Sequence, residues 1–490
     1  MITNKRKNPL LIPVSQDLLP VLPGLAIFAV SLTASLIFSG TGYFSATGLQ
    51  LSFCALFISN VFTILYLYIK KKLAVNTLVT VIIFQGIALR ICYMLFTDAG
   101  TRTYDVYRGW GHLDYIRYIA KHLALPPVNK CQTYHPPVHH IISAIAFNTG
   151  KLFTRNEFLW LKLVQAAGTL LNAATLILFY KLLKKLNIAP AALAISVSVF
   201  AFHPTNIYFS ARINNDNAML FFYVTAFYFL FCWLNDNSIK NLVLLALFSS
   251  LAVLTKLSGI MLFPIIAVVF TINLLKNRME YRKYIRQFTV FGLIYFPLSL
   301  SYQLRNYVLF GQSFGYVPSV GVGFTPNIHN LIGVPAGNML ENPFNNGGLH
   351  GGQFFLEFLL KSSLFGEWKY SDLEKPAILL LLLAVLNLFP PLIYLISARK
   401  KIIGNREYIF ILNLLIPFFL AVKFRTDYPI ACSQDFRYIA PVLVSVAYFL
   451  GKAVACIPDR FKPVKVFTTA SIMAFCALSS AFVLLLAGYD

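Results

Sequence analysis

Apolar runs of about twenty residues recur along most of this chain and are separated by short polar segments. The first run begins near Pro20. A helix of that length spans the roughly 30 Å hydrocarbon core of a bilayer. The pattern therefore predicts an all-α polytopic membrane protein with about 13 transmembrane helices, near residues 19–39, 49–69, 74–96, 158–180, 189–209, 214–234, 241–256, 258–275, 288–304, 376–397, 406–422, 436–455 and 466–487.

Two longer segments, 97–157 and 305–375, interrupt the succession of spans within what we interpret as one transmembrane domain, residues 1–490. In the first segment, apolar residues recur at helical spacing from about Gly109 to Leu123, which predicts an amphipathic helix lying on the membrane surface. The apolar stretch 138–153 is predicted to be a juxtamembrane or re-entrant helix, because a full span there would break the alternation of loops across the membrane.

Residues 312–352 of the second segment are rich in Gly, Asn and Pro and show no apolar periodicity. A loop of this length in a compact protein is usually functional or disordered. We interpret it as a lid over a binding groove, followed by an amphipathic helix in the sequence QFFLEFLLKSSLF. A plain linker is the alternative.

Charge supports the membrane interpretation and sets the orientation. Only 12% of the residues are charged, too few for a soluble protein of this length. The net charge of +23 lies mostly in clusters between spans, such as KKK at 70–72 and KNRMEYRKYIR at 276–286. By the positive-inside rule these clusters mark cytoplasmic loops, so the charge predicts no nucleic-acid partner. On this topology the N-terminus is inside and most carboxylates are outside, which predicts an active site on the external face.

No metal or other cofactor is predicted from the residues. The seven cysteines show no CxxC or metal-ligand spacing, although Cys131 and Cys432 both fall in external loops, where an oxidising compartment would permit a disulfide. His139 and His140, with His112 and Asp114, could suggest a metal site, but their spacing is irregular. A divalent metal therefore has no clear motif here.

The first long loop concentrates ionisable and aromatic residues in an otherwise apolar chain. Asp105 follows the end of a predicted span and is flanked by Tyr104 and Tyr107. A carboxylate in such a position is a candidate general base. Asp114, on the amphipathic helix, is the second catalytic candidate, and a solvated helix-face carboxylate is the alternative interpretation for it.

Six motifs follow one another along residues 95–445 in an order that resembles the GT-C superfamily of polyprenyl-phosphate-sugar glycosyltransferases. The resemblance is strongest to the protein O-mannosyltransferase and lipid A aminoarabinose transferase branch. The motifs are YHPPVHH at 134–140, FHPTNIYFSARINNDNAMLFF at 202–222, LTKLSG at 254–259, LRNYVLFG at 304–311, KSSLFGEW at 361–368 and CSQDFRYIAP at 432–441.

The resemblance implies that a monosaccharide moves from a polyprenyl-phosphate donor to a glycan, lipid or protein acceptor, with inversion, at the external face of a bacterial inner (plasma) membrane. Asp105 would be the base, and cations would stabilise the departing phosphate. The phosphate-binding candidates are Arg212, Lys256, Arg305, Arg437 and His135. The candidate sugar or acceptor contacts are Tyr104, Tyr107, His112 and Tyr134.

Other interpretations stay open from the sequence. Each single cation could merely anchor a helix end at the membrane surface by extending its charged head towards water. A lipid-linked glycan polymerase or ligase would share the donor and the topology. A transporter of lipid-linked sugars should carry ionisable residues near the bilayer midplane and internal repeats. The chain shows no repeat, and nearly all its charges fall at the predicted membrane edges, which favours the enzyme.

Overall fold

The computed structural model describes residues 19–38, 44–103, 105, 106, 109, 111–128, 130–318, 323–345, 354–398 and 405–489, and none of these is in a β-strand. Their α-helices, in chain order, are α1 Leu22–Phe38, α2 Ala46–Ile69, α3 Val75–Phe96, α4 His112–His122, α5 Val138–Phe153, α6 Glu157–Lys185, α7 Pro190–Phe202, α8 Pro204–Ala211, α9 Asn215–Asp236, α10 Ile239–Thr255, α11 Leu262–Lys276, α12 Tyr281–Phe310, α13 Ile328–Ile332, α14 Ala336–Glu341, α15 Phe355–Phe365, α16 Glu374–Leu386, α17 Phe389–Ser397, α18 Tyr408–Asp427, α19 Val442–Cys456 and α20 Lys462–Leu485. Short 3₁₀ helices extend or join several of them.

A helix lies at each of the thirteen predicted spans, but fewer meet the requirements for crossing a bilayer. Within the described ranges, nine helical segments are long and apolar enough, or up to eleven if two bent pairs each count as one span. The bent pairs are α7 with α8, at 48°, and residues 431–439 with α19, at 58°. The two remaining predicted spans correspond to α10, which has 17 residues, and to α12, whose 30 residues include Pro297. The structure therefore does not confirm thirteen spans.

Helix α9 lies at the centre of the helical bundle. Of its 22 residues, 17 are buried, as expected for a helix that is apolar on all sides. The hydroxyl of Tyr223 in α9 donates to Asn413 Oδ1 in α18 at 2.7 Å, and Asn413 Nδ2 donates to Ser445 Oγ in α19 at 2.9 Å. Hydrogen bonds in such apolar surroundings fix the positions of neighbouring helices relative to one another.

The amphipathic helix α4 buries its apolar stripe against protein. Leu113, Ile116 and Ile119 pack in a cluster that includes Phe147 of α5. Leu123, predicted on the same stripe, is instead 85% exposed and adopts the left-handed conformation that ends the helix. The predicted helix is confirmed, but this stripe is covered by its neighbours and is not left free to face lipid.

Helix α5 corresponds to the stretch 138–153, which was predicted to be a juxtamembrane or re-entrant helix. It has 16 residues and is not among the candidate spans of the described chain. Its length agrees with the predicted juxtamembrane helix, because a full crossing needs about 20 residues.

The second long segment is fastened to the bundle by the buried side chain of Arg425 in α18. Its guanidinium donates to the backbone oxygen of Asn330 at 3.2 Å and to Gln434 Oε1 at 3.0 Å, and it lies 5.0 Å from the ring centroid of Phe324. Residues 319–322 and 346–352 of the predicted lid lie outside the described residues. The lid itself stays a prediction.

The cysteines give no disulfide. Cys131 and Cys432 are both free thiols in the structure, so the pairing that the sequence permitted is not formed in it.

Candidate functional site

The ends of several helices meet where the motifs of the sequence converge. Helices α9 and α10 form a hairpin, so the start of α9 and the end of α10 lie at the same end of the bundle. There Lys256 Nζ donates to Asp216 Oδ1 in a pair whose side chains are 7% and 1% exposed. Two charges removed from water in this way depend on each other for stabilisation.

The sequence NNDN, residues 214–217, fixes the position of the Asp216 carboxylate. Asn214 Nδ2 donates to Asp216 Oδ2 at 3.0 Å, so both carboxylate oxygens have a donor. Asn215 Nδ2 donates to the carbonyl of Thr255 at 3.3 Å, which joins the start of α9 to the end of α10. The ion pair is therefore held on both helices.

A second network of buried polar groups is centred on the hydrogen bonds of Arg90. Arg90, fully buried in the candidate span α3, donates to Asn172 Oδ1 and to the carbonyls of Gly86 and Ala201, and Asn172 Nδ2 donates to Asn217 Oδ1. These bonds link three helices, α3, α6 and α7, to the start of α9. Arg90 is an exception to the expectation that charges lie near the membrane edges.

Arg437 enters the same region from the 3₁₀ turn that precedes α19. Asp435 begins this turn and accepts from the backbone N–H of Arg437 at 2.8 Å, and its other carboxylate oxygen lies 3.6 Å from Arg437 Nε. Lys256 Nζ lies 4.5 Å from the ring centroid of Tyr438. Two cations, each with its own carboxylate, are thus close neighbours around one aromatic ring.

Four histidines from α4, α5 and the loop between them pack together beside these cations: His112, His135, His139 and His140. The ring of His112 stacks on those of His135 and His140, at centroid distances of 5.3 and 5.2 Å, and its Nδ1 lies 3.0 Å from His140 Nε2. In the described part of the chain, no group of three or more His, Cys, Asp or Glu side chains has a geometry suited to a metal ion.

Burial lowers the pKa of all four histidines and so disfavours their charged form. Burial lowers the pKa of His135 well below its usual range, and the charges of Lys256 and Arg437 add to this effect. Burial lowers the pKa of His139 to about 4, and the nearby carboxylate of Asp216 opposes the shift. Neutral imidazoles can donate or accept hydrogen bonds here without adding positive charge.

Asp105 approaches this group from the first long loop. Its φ is +60°, an uncommon conformation in which Asp is better tolerated than most residues, and its carbonyl accepts from the N–H of His112 at 2.7 Å. Burial raises the pKa of Tyr134 to about 12, the charge of Asp105 adds to the shift, and Arg437 opposes it. Asp105, Tyr134 and Arg437 therefore lie close enough to influence one another electrostatically.

The second catalytic candidate, Asp114, has a structural role at the start of α4. One carboxylate oxygen accepts from the N–H of Gly111 at 3.0 Å, and the other lies 3.9 Å from Arg117. A carboxylate in the first turn stabilises the helix through such a bond and through the helix dipole.

The four predicted phosphate-binding cations differ in their contacts. Lys256 and Arg437 lie together. Arg305 fastens the first loop, since it donates to the carbonyl of Pro126 at 3.1 Å, and Arg212 stacks on the ring of Trp368 at 4.8 Å. The predicted contacts Tyr104 and Tyr107 lie outside the described residues.

Several residues of this region were not predicted individually, although the quoted motifs contain them: Tyr208, Asp216, Trp368, Asp435 and Tyr438. A signal existed for Asp216. It falls in the first turn of one predicted span and Lys256 at the end of the next, and two spans joined by a short turn bring those positions to the same end.

Comparison with known proteins finds a family model that matches part of the chain. Residues 134–299 match the family model described as dolichyl-phosphate-mannose-protein mannosyltransferase. No curated protein sequence matches the chain.

Among solved structures, the chain is similar to ArnT from Cupriavidus metallidurans bound to undecaprenyl phosphate, with 15% identity and a TM-score of 0.50. The alignment covers 81% of this chain and 63% of that one, so the chain spans less than two thirds of the length of this relative. At this identity the likeness concerns the fold. The archaeal oligosaccharyltransferase AglB from Archaeoglobus fulgidus, in complex with an inhibitory peptide and a dolichol-phosphate, aligns at 13% identity over 84% of this chain and 55% of its own, with a TM-score of 0.48.

Asp216→Asn should strongly destabilise the protein, because it leaves the ammonium of Lys256 buried without its anion. Loss of one partner from a buried pair typically costs about 3–5 kcal/mol. The measurement is thermal unfolding of purified protein in detergent. Asp427→Asn is the control, since its pair with Lys423 is 45% and 70% exposed and should contribute little. Equal melting temperatures for the two variants would contradict the importance of the buried pair.

Acidification should destabilise the histidine group. Because the folded-state pKa of His139 lies below its unfolded value of roughly 6.5, its contribution is present above that pH and is lost as pH falls towards 4. At pH 5 the loss from this residue is about 2 kcal/mol. Melting temperatures of wild type and His139→Gln between pH 7.5 and 5 would test this, and the wild type should lose more. A parallel decline in both proteins would show that His139 is not held neutral by burial.

Proposed function

We infer that this chain is a membrane glycosyltransferase of the GT-C type that moves a monosaccharide from a polyprenyl-phosphate donor to an acceptor hydroxyl. The motifs and the family model that matches residues 134–299 support this inference. The observation that carries this proposal is that Asp105 and Arg437 both act electrostatically on Tyr134, while Lys256 and Arg437 lie over the ring of Tyr438. Such a transfer needs a base for the incoming hydroxyl beside positive charge for the leaving phosphate.

In the proposed reaction, Asp105 takes the proton of the acceptor hydroxyl while that oxygen attacks the anomeric carbon. The bond from this carbon to the phosphate oxygen breaks, and its electron pair leaves with the polyprenyl phosphate. Direct displacement inverts the anomeric carbon. The products are the glycosylated acceptor and the free lipid phosphate.

The two cations proposed to stabilise the leaving phosphate each have a carboxylate partner. Lys256 and Arg437 are paired with Asp216 and Asp435, which stabilise them while the site is empty. A preorganised set of charges needs little rearrangement as negative charge develops on the leaving group. The neutral ring of His135, next to both cations, can donate a further hydrogen bond to the phosphate.

The orientation follows from the helix directions. The basic cluster 70–72 lies between α2 and α3, whereas Asp105 follows the opposite end of α3. If the basic cluster is cytoplasmic, the site opens to the external face of the membrane. In a bacterium, this membrane would be the inner membrane.

The lid proposal is supported by a connection through Arg425. This residue contacts both Asn330 of the second long segment and Gln434, which immediately precedes Asp435. Movement of the segment on substrate binding would thus be transmitted to the turn that carries Arg437.

Asp105→Asn should abolish transfer, because the amide cannot accept the proton of the acceptor hydroxyl. We expect a decrease of about 10²-fold or more with an unchanged melting temperature. The assay uses purified protein in detergent, a panel of radiolabelled polyprenyl-phosphate sugars and a crude membrane acceptor fraction. Asp98→Asn, an exposed carboxylate of the same loop, is the matched control and should remain active. An active Asp105→Asn enzyme would refute the assignment of the base.

A further inference from the structure

The last turns of α12 hold one segment of the first long loop at two points. Of this segment, residues 125–128 and 130–133 are described. Three side chains of α12 donate hydrogen bonds to its backbone carbonyls: Tyr302, Arg305 and Asn306. The motif LRNYVLFG contains two of these three residues, and the proposed reaction gives that motif no task.

Arg305 holds the start of the segment with a forked set of hydrogen bonds. Its Nη2 donates to the carbonyl of Pro126 at 3.1 Å and to that of Leu125 at 3.4 Å. Its Nη1 donates to Asn306 Oδ1 at 2.8 Å. A planar guanidinium can bind acceptors in two directions at once, which a single ammonium group does less well. The start of the segment is therefore attached directly to α12.

Tyr302 holds the end of the segment through the carbonyl of Thr133. Its buried hydroxyl lies 2.7 Å from that carbonyl oxygen and 3.1 Å from the hydroxyl of Tyr115 in α4. A tyrosine hydroxyl has one hydrogen and a carbonyl can only accept, so Tyr302 donates to Thr133 and accepts from Tyr115. Asn306 Nδ2 is a longer second donor to the carbonyl, at 3.4 Å. Tyr302 is thus the main attachment of Thr133.

The segment leads directly into the candidate site. Thr133 is followed by Tyr134 and His135, whose ring centroids are 4.3 Å apart. Asp105 and Arg437 both act electrostatically on Tyr134. Because Tyr134 is the next residue in the chain, a displacement of the Thr133 carbonyl would move side chains of the site.

A free thiol in the same segment reports on its packing. Cys131 is half-buried and packs against the apolar cluster of α4 and α5. Burial raises the pKa of its thiol to about 11, so the thiol should react slowly while the segment stays in place. Thr133 Oγ1 donates to the carbonyl of Val128 at 2.9 Å, which ties the end of the segment to its middle. Release of Thr133 should therefore expose Cys131.

We propose that Tyr302 is a positioning residue, which acts through its hydrogen bond to Thr133. This bond fixes Tyr134 and His135 within the site. Arg305 holds the other end of the segment, where the sequence predicted a phosphate contact for it. The part of this inference that concerns sugar transfer rests on the proposed function.

Tyr302→Phe and Tyr115→Phe form a matched pair, because each removes one hydroxyl from the same chain of hydrogen bonds. Only Tyr302→Phe releases Thr133. The full chain in detergent is treated with N-ethylmaleimide, and the alkylation rate of Cys131 is measured by mass spectrometry of its peptide. We expect this rate to rise about fivefold in Tyr302→Phe, as the loss of one hydrogen bond predicts, and to change little in Tyr115→Phe. A wild-type rate in Tyr302→Phe, or an equal rise in both variants, would overturn the proposal.

Arg305→Lys tests the other attachment and keeps the proposal falsifiable if Tyr302→Phe does not fold. Lysine retains the positive charge but lacks the planar fork that joins Pro126 to Asn306. Alkylation of Cys131 should again be faster than in the wild type. A task that requires only positive charge predicts the wild-type rate, and that result would contradict the attachment.

The transfer assay decides whether the position of the segment matters for the reaction. Transfer per folded molecule should fall about tenfold or more in Tyr302→Phe, because misplacement near the reacting atoms is costly, and should stay near the wild-type value in Tyr115→Phe. A merely structural role predicts equal transfer by the two variants once folded protein is counted. Faster alkylation of Cys131 with normal transfer would overturn the positioning role.

The two measurements separate this inference from the proposed function. If the wild type transfers sugar and Tyr302→Phe matches it in both transfer and alkylation, the inference is wrong and the function stands. If no donor supports transfer by the wild type, the proposed function is wrong, and the alkylation rates still decide whether Tyr302 holds the segment.

Discussion

The need to compensate charge in a region removed from water governs the arrangement of this protein. The buried pair of Lys256 and Asp216 is the clearest case, because neither group has water to solvate it. The pair can form only if α9 and α10 meet at one end as a hairpin. Asn215 reinforces that meeting through the carbonyl of Thr255, so the polar contacts of the site also hold the helices that carry it.

The same constraint explains how many ionisable groups can crowd together. Lys256 and Arg437 each have a carboxylate, and the four histidines stay neutral because burial disfavours their charged form. Arg212 departs from this pattern. Within the described residues, an aromatic ring stabilises it where Lys256 and Arg437 have a carboxylate.

Bent helices and buried hydrogen bonds between chain segments occur together at this end of the bundle. The chain bends by 48° between α7 and α8, shortly before Arg212, and by 58° between the turn that carries Arg437 and α19. Buried hydrogen bonds from Arg90 and Arg425 hold the adjoining segments. Non-helical backbone is tolerated at such positions when protein groups satisfy its donors and acceptors.

Local sequence determined the positions of the helices, because apolar periodicity and length depend only on neighbouring residues. It predicted α4, its apolar stripe up to Ile119, and the segments that carry the site. Tertiary structure alone decided which charges meet. Sequence spacing could not show that Arg305 would bind the carbonyl of Pro126, or that Arg212 would stack on Trp368. These contacts join residues far apart in the chain, and bends at helix ends, which periodicity does not encode, set the direction of each side chain.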